Sequence, residues 1–401
     1  MAHRTPRRIT IVGASIAGLR AAESLRRRGY DGALTLVGEE AITAYQRPAL
    51  SKSYLTGDRQ ASDLVLPRQD LDADLRLSTR AVQLDTAARQ VWLREDDGPP
   101  YPQPYDGLLI ACGTRARRLP GCDLAGVHTL RTVADADALR ADLRTGGPRV
   151  AIIGGGFIGQ EVAATARGLG LDTTLIDPLP VPGSRALGLR TGQVLAGLHT
   201  DHGTRLRMGC GVTGVEGDGR VTGVRLSDGG LVPADVVVVG IGVEPAADWL
   251  TGSGVLLDNG VRCRGNLAAY GAPGIVAAGD IACWDHPRLG RPVRIEHWEN
   301  ALRQADTAAG TLLDGVSAPA YDTTTMFWSN LYDSRVQVVG HPGPDDTLEI
   351  VEGDPETRRF VGIYRNDTGG PTGVLLFNMA HRLADYRGMG LDEGLPSSLA
   401  S

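Results

Sequence analysis

The most constraining feature of the chain is a pair of glycine-rich segments, each directly after an apolar run typical of a strand. The first segment spans residues 9–18 and the second spans residues 150–159. Patterns that predict helices follow them, over 19–28 and 160–169. A tight glycine turn that leads into a helix N-terminus presents backbone N–H groups and the positive end of the helix dipole to a pyrophosphate. The chain is therefore predicted to contain two βαβ units that each hold a dinucleotide.

An acidic residue follows the second strand of each predicted unit. Glu39 comes after an apolar run over 33–37, and Asp177 comes after a run over 173–176. An acid about 20 residues beyond such a turn accepts hydrogen bonds from a ribose. Ser15 stands where the pattern has its middle glycine, so its side chain must fit beside the phosphates. Because glycine is common here, at 54 of 401 residues, ordinary βαβ turns without a ligand remain an alternative.

Composition and charge exclude several functional classes. Apolar residues make up 42% of the chain and charged residues 22%, as in an ordinary water-soluble enzyme. The net charge of −6 argues against general nucleic-acid binding, and no apolar run reaches the roughly 18 residues that cross a bilayer. The basic segment 1–8 lacks the apolar core of a signal peptide, so we expect a cytoplasmic protein that does not bind a membrane.

The cysteine pattern argues against a disulfide-based mechanism. No two of the five cysteines form a Cys-x-x-Cys pair or have the spacing of metal ligands, so we expect no metal. We expect isolated small apolar residues in a reducing compartment. They are Cys112, Cys122, Cys210, Cys263 and Cys283. A protein that holds two dinucleotides without a redox-active disulfide must pass electrons outward by another route.

The rest of the chain predicts more than one domain. Its length suggests two to three domains of about 150 residues each. The apolar run 235–240 suits a central strand of a covered parallel sheet, and the proline-rich segment 97–104 predicts a surface turn. From about residue 320, short alternating segments indicate a separate, mostly antiparallel domain, and the tail over 391–401 is expected to be loose.

Several further segments, in the same order along the chain, resemble one enzyme family. They are 45–52, 111–114, 154–163, 240–245, 278–280, 296–301 and 327–333. Together they are similar to the FAD-containing, NADH-dependent ferredoxin reductases that serve Rieske oxygenases and bacterial cytochromes P450. That family includes the putidaredoxin and rubredoxin reductases and has apoptosis-inducing factor as a relative. The similarity runs from about residue 9 to residue 340.

The resemblance implies the fold class and the domain limits. The fold would be α/β, with two Rossmann-like dinucleotide-binding domains arranged as in glutathione reductase and a C-terminal α+β interface domain. The FAD-binding domain would be discontinuous, over 1–114 and 245–319. The NAD-binding domain would span 115–244, and the interface domain would span 320–401.

The resemblance also implies a set of FAD contacts. The first glycine turn would hold the pyrophosphate, Glu39 the adenosine ribose and Asp280 the ribityl chain, while Arg47 would neutralise phosphate charge. The residues of that turn are Gly13, Ser15, Ile16, Ala17 and Gly18. The further positions assigned to FAD are Val82, Cys112, Gly113, Arg131, His297 and Trp298.

The positions that the family uses for redox chemistry are Lys52, Glu161, Trp298 and Trp328. In the family the lysine lies against the flavin ring and pairs with a glutamate on the NAD-domain helix, here Glu161. A cation beside the ring favours the electron-rich reduced flavin, and the carboxylate compensates the desolvated ammonium. Trp298 and Trp328 would flank the flavin edge, and two unrelated exposed side chains remain the alternative for Lys52 and Glu161.

The second glycine turn would hold the nicotinamide nucleotide. Its residues are Gly154, Gly156, Phe157, Ile158 and Gly159. Asp177 would repel a 2′-phosphate, so NADH is expected to be preferred over NADPH, and Arg185 is the nearby residue that could weaken this preference. Gly242 and Glu296 would lie near the nicotinamide.

The reaction implied by the resemblance is hydride transfer from NADH to FAD, followed by single-electron transfer to a small acidic [2Fe–2S] ferredoxin. The ferredoxin would serve a cytochrome P450 or a Rieske oxygenase, and the protein would be a monomer or a weak dimer. Docking would use basic residues against the acidic partner. The candidates are Arg303, Arg335, Arg358, Arg359, Arg382 and Arg387.

Two departures from the family pattern leave alternatives for the electron acceptor. Asn330 and Leu331 interrupt the segment 327–333, and the chain from Asn378 onward does not match the usual arginine-rich ending. A rubredoxin reductase, or a flavin-bound signalling protein like apoptosis-inducing factor, therefore stays open. An NADH oxidase or peroxidase is disfavoured because the loop 41–46 lacks the redox cysteine that those relatives carry next to the flavin.

Overall fold

The computed structural model describes residues 5–68, 71–120, 122–343 and 345–387. Its strands are β1 (Arg8–Val12), β2 (Ala33–Val37), β3 (Asp74–Arg76), β4 (Thr79–Asp85), β5 (Gln90–Glu95), β6 (Tyr101–Pro104), β7 (Gly107–Ile110), β8 (Thr114–Ala116), β9 (Val127–His128), β10 (Val150–Ile153), β11 (Thr173–Asp177), β12 (Arg205–Met208), β13 (Val212–Asp218), β14 (Arg220–Leu226), β15 (Leu231–Pro233), β16 (Val236–Val239), β17 (Val243–Pro245), β18 (Val261–Cys263), β19 (Ile275–Ala277), β20 (Ala282–His286), β21 (Arg291–Val293), β22 (Met326–Leu331), β23 (Ser334–Gly340), β24 (Thr347–Asp354), β25 (Arg359–Arg365) and β26 (Pro371–Phe377). Its α-helices are α1 (Ile16–Arg27), α2 (Ala61–Leu64), α3 (Val133–Leu143), α4 (Phe157–Gly168), α5 (Ser184–Asp201), α6 (Trp298–Asp314) and α7 (Leu383–Arg387).

These elements form two compact units. The first unit consists of Met1–Gln46, Leu64–Arg115 and Glu244–Thr323. The second unit consists of Arg47–Asp63, Ala116–Val243 and Thr324–Ser401. The domain limits inferred from the sequence stay a prediction.

The first unit is organised around a parallel sheet with the strand order β19-β7-β1-β2-β3. Helices α1 and α6 bury their small apolar faces together, with Ala21 and Ala22 on α1 and Ala305 and Ala308 on α6 fully buried. Small side chains let two helices approach closely, and a cluster around Asp306 adds polar contacts, since Ser24 donates to that carboxylate. The close packing holds the N-terminus of α1 against the sheet.

One sequence prediction is wrong in this unit. The segment 97–104 is not entirely a turn, because Tyr101–Pro104 forms β6, which pairs antiparallel with β5. Strand β6 lies at the edge of the sheet β4-β5-β6. An edge strand tolerates the missing N–H groups of Pro102 and Pro104 because one side of it does not pair with another strand.

The second unit contains a parallel sheet with the order β12-β11-β10-β16-β9. Helices α3 and α4 cover one face of this sheet, and the antiparallel sheet β13-β14-β15 covers the other. Strand β16 has neighbours on both sides, and all four of its valines are buried. The prediction of a covered central strand from the apolar run 235–240 is therefore confirmed.

The second unit also contains an antiparallel sheet in the C-terminal part of the chain, with the order β22-β23-β26-β25-β24. One face of it packs on α5 and on Phe157 and Ala164 of α4, through Leu331, Phe360 and Leu375. The two parallel sheets and this antiparallel sheet confirm the predicted fold class, which is α/β with two Rossmann-like parts and a C-terminal domain of different topology. The tail over 391–401 lies outside the described residues.

Candidate functional site

The first glycine turn connects β1 to α1 and is built by close backbone contacts. Gly13 has a φ of +117°, and a Cβ there would lie 2.2 Å from the carbonyl oxygen of Ala111. A Cβ on Gly18 would lie 1.8 Å from the carbonyl oxygen of Gly13. Both glycines are therefore required by the protein itself. Ser15 directly precedes α1, and the first N–H groups of an α-helix have no partner within the helix, so this end of α1 suits an anion.

The second turn repeats this geometry between β10 and α4. Gly154 has a φ of +110°, and its Cβ would lie 2.2 Å from the carbonyl oxygen of Gly240. A Cβ on Gly159 would lie 1.9 Å from the carbonyl oxygen of Gly154. Gly156 differs, because its φ of −70° suits any residue and a Cβ there would meet no atom within 4 Å. The protein does not need a glycine at 156, so the open space beside it fits the close approach of a ligand phosphate.

A cavity of about 340 Å³ lies beside the first turn, within the first unit. Its walls are mixed: Ala14, Leu36 and Leu66 supply apolar surface, and Arg68 and Asp72 supply charged groups. A cavity of this size and lining suits a flat aromatic ring system. The cavity cannot be recognised in the sequence, because its walls come from segments that are well separated along the chain.

The acids that follow the second strands differ in their surroundings. Asp177 accepts hydrogen bonds from the backbone N–H of Gly155 at 2.6 Å and from that of Leu179 at 2.8 Å. Each oxygen of a carboxylate has a second lone pair, so Asp177 braces the glycine turn and retains capacity to accept a ribose hydroxyl. Glu39 is exposed beyond the end of β2. The ribose contacts of both acids stay predictions.

Lys52 and Glu161 form an ion pair within the second unit, with 2.5 Å between Nζ and Oε2. Glu161 lies on α4 and is only 4% exposed. Lys52 lies in a π-helical turn over Leu50–Tyr54, has a non-helical φ and ψ there, and also donates to the carbonyl of Pro48 at 2.9 Å. The irregular backbone turns the ammonium toward α4, so the two predicted residues are brought together.

Two serines that the sequence analysis did not single out complete the surroundings of Glu161. Ser51 donates to Oε2 at 2.6 Å and Ser329 donates to Oε1 at 2.7 Å. Both serines are buried. A buried carboxylate is tolerated only when charge and hydrogen bonds offset the lost hydration, and these two donors together with Lys52 supply both. Their presence in the family-like segments 45–52 and 327–333 is the signal that could have identified them.

Two arginines assigned to FAD also lie together in the second unit. Arg47 donates from Nη1 to the carbonyl of Arg131 at 2.7 Å. The backbone N–H groups of Arg131 and Thr132 donate to Asp135, which forms a capping box with Thr132 at the start of α3. The N-terminus of α3 therefore holds the segment that Arg47 contacts.

In the first unit, Asp280 accepts a hydrogen bond from Thr114 at 3.4 Å.

Cys112 donates to the carbonyl of Ala246 at 3.3 Å, and burial raises the pKa of its thiol to about 11. Gly113 lies between β7 and β8 and has a φ of +67°, a conformation that favours glycine. Burial also raises the pKa of the thiols of Cys122, Cys263 and Cys283. These thiols are protonated at neutral pH and are poor nucleophiles.

The other predicted positions of the first unit lie around the start of α6. Glu296 is exposed and pairs with Arg294 at 2.7 Å. His297 precedes the helix, and burial lowers its pKa to about 4, so this ring is neutral at physiological pH. Trp298 is the first residue of α6 and is half-buried. Val82 is half-buried in β4.

The remaining predicted positions belong to the second unit. Phe157 opens α4 and packs edge-on against Phe327, with ring centroids 4.8 Å apart. Ile158 and Arg185 are exposed. Gly242 is exposed with a φ of +97°, and Trp328 is half-buried in β22.

The candidate docking arginines differ in how they are held. Arg303 pairs with Glu299, Arg358 with Asp201, and Arg382 with Glu352 and Asp385. Arg335 and Arg359 are exposed, and within the described residues neither side chain forms an ion pair. The side chain of Arg387 lies outside the described residues. Of the two residues that interrupt segment 327–333, Leu331 is 1% exposed and Asn330 is exposed.

In the described part of the chain, no helix is both long enough and apolar enough to cross a membrane. No group of three or more histidines, cysteines and acids in the same part of the chain has the arrangement of a metal site.

Two family models match the chain. The model described as pyridine nucleotide-disulphide oxidoreductase matches residues 7–305, and the model described as reductase C-terminal matches residues 326–395. The ferredoxin–NAD(+) reductase component of the anthranilate 1,2-dioxygenase system of Burkholderia cepacia is 41% identical, over 87% of this chain and 86% of that protein. Rhodocoxin reductase of Rhodococcus erythropolis is 37% identical, over 88% of this chain and 82% of its own. The crystal structure of the covalent putidaredoxin reductase–putidaredoxin complex matches with a TM-score of 0.86 at 31% identity, over 95% of this chain and 91% of that chain.

Proposed function

Because the chain belongs to the pyridine nucleotide-disulphide oxidoreductase family and carries a reductase C-terminal domain, we propose that it is an NADH-dependent ferredoxin reductase. It holds FAD, takes electrons from NADH and passes them to a small [2Fe–2S] ferredoxin. The observation that carries this proposal is the presence of two turns fit for a pyrophosphate in a chain whose described cysteines do not form a disulfide. Such a protein reduces an external carrier, since it has no dithiol to relay electrons.

The first glycine turn and the cavity beside it support FAD binding in the first unit. The N–H groups at the start of α1 hold the pyrophosphate, the cavity accepts the adenine ring, and Glu39 accepts the adenosine ribose. Asp280, fastened by Thr114, accepts the ribityl hydroxyls. When bound, FAD supplies the chemistry, because a flavin accepts a hydride and releases electrons one at a time.

The second glycine turn supports NADH binding in the second unit. The N–H groups at the start of α4 hold its pyrophosphate in the space that Gly156 leaves open. Asp177 accepts the ribose and repels a 2′-phosphate, so NADH is preferred over NADPH. The protein needs no acid–base group for the transfer, because the two cofactors supply the chemistry.

Lys52 is the residue that we assign to the flavin ring. A fixed ammonium stabilises the negative charge that a flavin gains on reduction. Glu161 and its two serine donors hold that ammonium in one place, so the charge is available without reorganisation. The flavin contacts expected for Trp298 and Trp328 stay predictions.

The electron acceptor is a ferredoxin that serves a cytochrome P450 or a Rieske oxygenase, as the names of the relatives suggest. The exposed side chains of Arg335 and Arg359 are suited to an acidic partner. The departure at Leu331 does not weaken this proposal, because a buried side chain cannot contact a docked protein. We assign the protein to the reducing cytoplasm, since its described cysteines are free thiols, and we expect a monomer or weak dimer.

The test is to mix the purified flavin-loaded protein with NADH or NADPH in a stopped-flow instrument, and then to add cytochrome c with and without a [2Fe–2S] ferredoxin. We expect rapid bleaching of the flavin by NADH, much slower bleaching by NADPH, and cytochrome c reduction that depends on the ferredoxin. Rapid bleaching without ferredoxin stimulation would reject the acceptor and keep the NADH half of the reaction. If NADH does not bleach the flavin, both the NADH half of the reaction and the ferredoxin acceptor are rejected.

A further inference from the structure

A chain of hydrogen bonds within the second unit leads from the C-terminal sheet to the second glycine turn. The hydroxyl of Tyr332, between β22 and β23, lies 2.8 Å from Oγ1 of Thr204 and 2.9 Å from Nδ1 of His199. Nε2 of His199 lies 3.3 Å from Oε1 of Gln160, the side chain of which donates to the carbonyl of Gly155 at 2.9 Å. His199 and Gln160 are both fully buried.

The chemistry of these groups fixes the direction of the chain. A backbone carbonyl only accepts, so the amide nitrogen of Gln160 faces Gly155 and its oxygen faces His199. The oxygen also only accepts, so Nε2 of His199 carries the proton and Nδ1 accepts from Tyr332. Burial lowers the pKa of His199 to about 4, which keeps the ring in this neutral form. The tyrosine hydroxyl then accepts from Thr204. From Tyr332 onward, every hydrogen bond of the chain is donated toward the turn.

The position of Tyr332 does not depend on its hydroxyl alone. Its φ is +56°, and its ring stacks on His202 with centroids 3.9 Å apart and an interplanar angle of 11°. The ring stays in place when the hydroxyl is removed, so the hydrogen-bond chain can be broken without removing the packing.

The far end of the chain lies on one peptide group of the second turn. The carbonyl of Gly155 accepts from Gln160 and from the N–H of Gly183, while the N–H of Gly155 donates to Asp177. A trans peptide is planar, so its C=O and the following N–H point in opposite directions. Holding the carbonyl of Gly155 therefore aims the N–H of Gly156 away from the protein interior, toward the open space beside that glycine.

We propose that Tyr332, His199 and Gln160 are positioning residues for the nicotinamide nucleotide, and that they orient the Gly155–Gly156 peptide for its pyrophosphate. This inference rests on the proposed function, since it assigns the second turn to NADH. It makes the first strand connection of the C-terminal sheet part of the nucleotide site, although none of its residues touches the nucleotide. If this chain of hydrogen bonds is broken, we expect NADH to bind more weakly and the flavin in the NADH-bound complex to be reduced at nearly the same rate.

The first test compares Tyr332→Phe with Tyr364→Phe. Tyr364 is a buried tyrosine of the same sheet, and its hydroxyl donates to the carbonyl of Leu187 on α5, outside the chain to Gly155. Stopped-flow titration with NADH should show a roughly three- to tenfold higher half-saturating concentration for Tyr332→Phe, the effect of one lost buried hydrogen bond. The limiting rate of flavin reduction should stay within about twofold, and Tyr364→Phe should match the wild type in both.

The second test measures amide hydrogen exchange over residues 153–160 without any nucleotide. We expect faster exchange in Tyr332→Phe and in Gln160→Glu than in the wild type, since glutamate cannot donate to Gly155, and no change in Tyr364→Phe. Unchanged exchange, or faster exchange with unchanged NADH half-saturation, would overturn the inference. A wild type that NADH does not reduce would instead reject the proposed function, and the exchange experiment separates the two failures because it needs no substrate.

Discussion

Ser329 of β22 donates a hydrogen bond to Oε1 of Glu161 on α4 at 2.7 Å, and both residues are buried. The first strand of the C-terminal sheet is thereby tied to the helix that opens with the second glycine turn. The same carboxylate holds Lys52 through its other oxygen. A residue of the C-terminal sheet therefore helps to position the ammonium that we assign to the flavin.

Replacing Ser329 with alanine should impair both stability and flavin reduction. The change leaves a buried carboxylate oxygen without its donor, which lowers the free energy of unfolding by about 1–3 kcal/mol. The loosened Glu161 should slow flavin reduction by NADH about five- to tenfold. Ser253→Ala is the control, because Ser253 is a buried serine that donates to the carbonyl of Leu250 in the first unit. Equal reduction rates in the two variants would contradict the role of Ser329.

Two glycines of the second turn should respond differently to alanine. Gly156→Ala should fold normally, since its Cβ meets no atom within 4 Å, and should raise the half-saturating NADH concentration because the methyl group occupies the space for a phosphate. Gly154→Ala should lose roughly 3 kcal/mol or more of stability from its positive φ and the overlap with Gly240. Thermal unfolding and NADH titration check both. Normal NADH binding by Gly156→Ala would argue against a nucleotide at this turn.

Asp177→Asn should change nucleotide preference and weaken NADH binding. The asparagine has a single oxygen, so it cannot accept from both Gly155 and Leu179 as the carboxylate does. Loss of the negative charge should lower the preference for NADH over NADPH about tenfold in kcat/KM. Arg185→Ala, at an exposed position, should reduce only the use of NADPH. An unchanged preference in Asp177→Asn would assign the aspartate to bracing the turn alone.

Stability should fall as the pH is lowered through the weakly acidic range. Burial lowers the pKa of His199 from its ordinary 6.5 to about 4. As the pH falls, the unfolded chain therefore binds a proton on this histidine at a higher pH than the folded chain does. The free energy of unfolding is highest above pH 6.5 and falls progressively down to about pH 4, by roughly 3 kcal/mol at most. His297 is shifted in the same direction by burial. Urea unfolding across this range should show a flatter dependence in His199→Gln, and an unchanged slope would contradict the assignment.

Charge reversal at Arg335 should affect ferredoxin and leave NADH unaffected. Arg335→Glu places a negative charge on an exposed position of the C-terminal sheet, so the KM for an acidic ferredoxin should rise about tenfold at low salt and less at high salt. Reduction of ferricyanide by NADH should not change. Arg118→Glu, at an exposed position outside that sheet, is the control. Equal effects of both substitutions would indicate a general charge effect and no docking at Arg335.

The sequence by itself determined the two glycine turns, the parallel strands beside them and the antiparallel character of the C-terminal part. These features are local. A Cβ on Gly18 would overlap an atom only five residues away, and the continuous apolar run of β16 is itself the pattern of a buried strand. Segment 97–104 was misread because proline content does not reveal that a strand lies at a sheet edge. The resemblance supplied Lys52 and Glu161 as a pair, without the groups around them.

Only the tertiary structure decided which side chains surround that pair and which ones lead to the second turn. Ser51 and Ser329 are 110 and 168 positions from Glu161, and Tyr332 is 133 positions from His199. Periodicity and motif spacing carry no information on such contacts, because they depend on how the turn Leu50–Tyr54 and the C-terminal sheet pack against α4 and α5. A buried carboxylate and a buried imidazole must find hydrogen-bond partners wherever the fold brings them, and that requirement acts in space and is independent of distance along the chain.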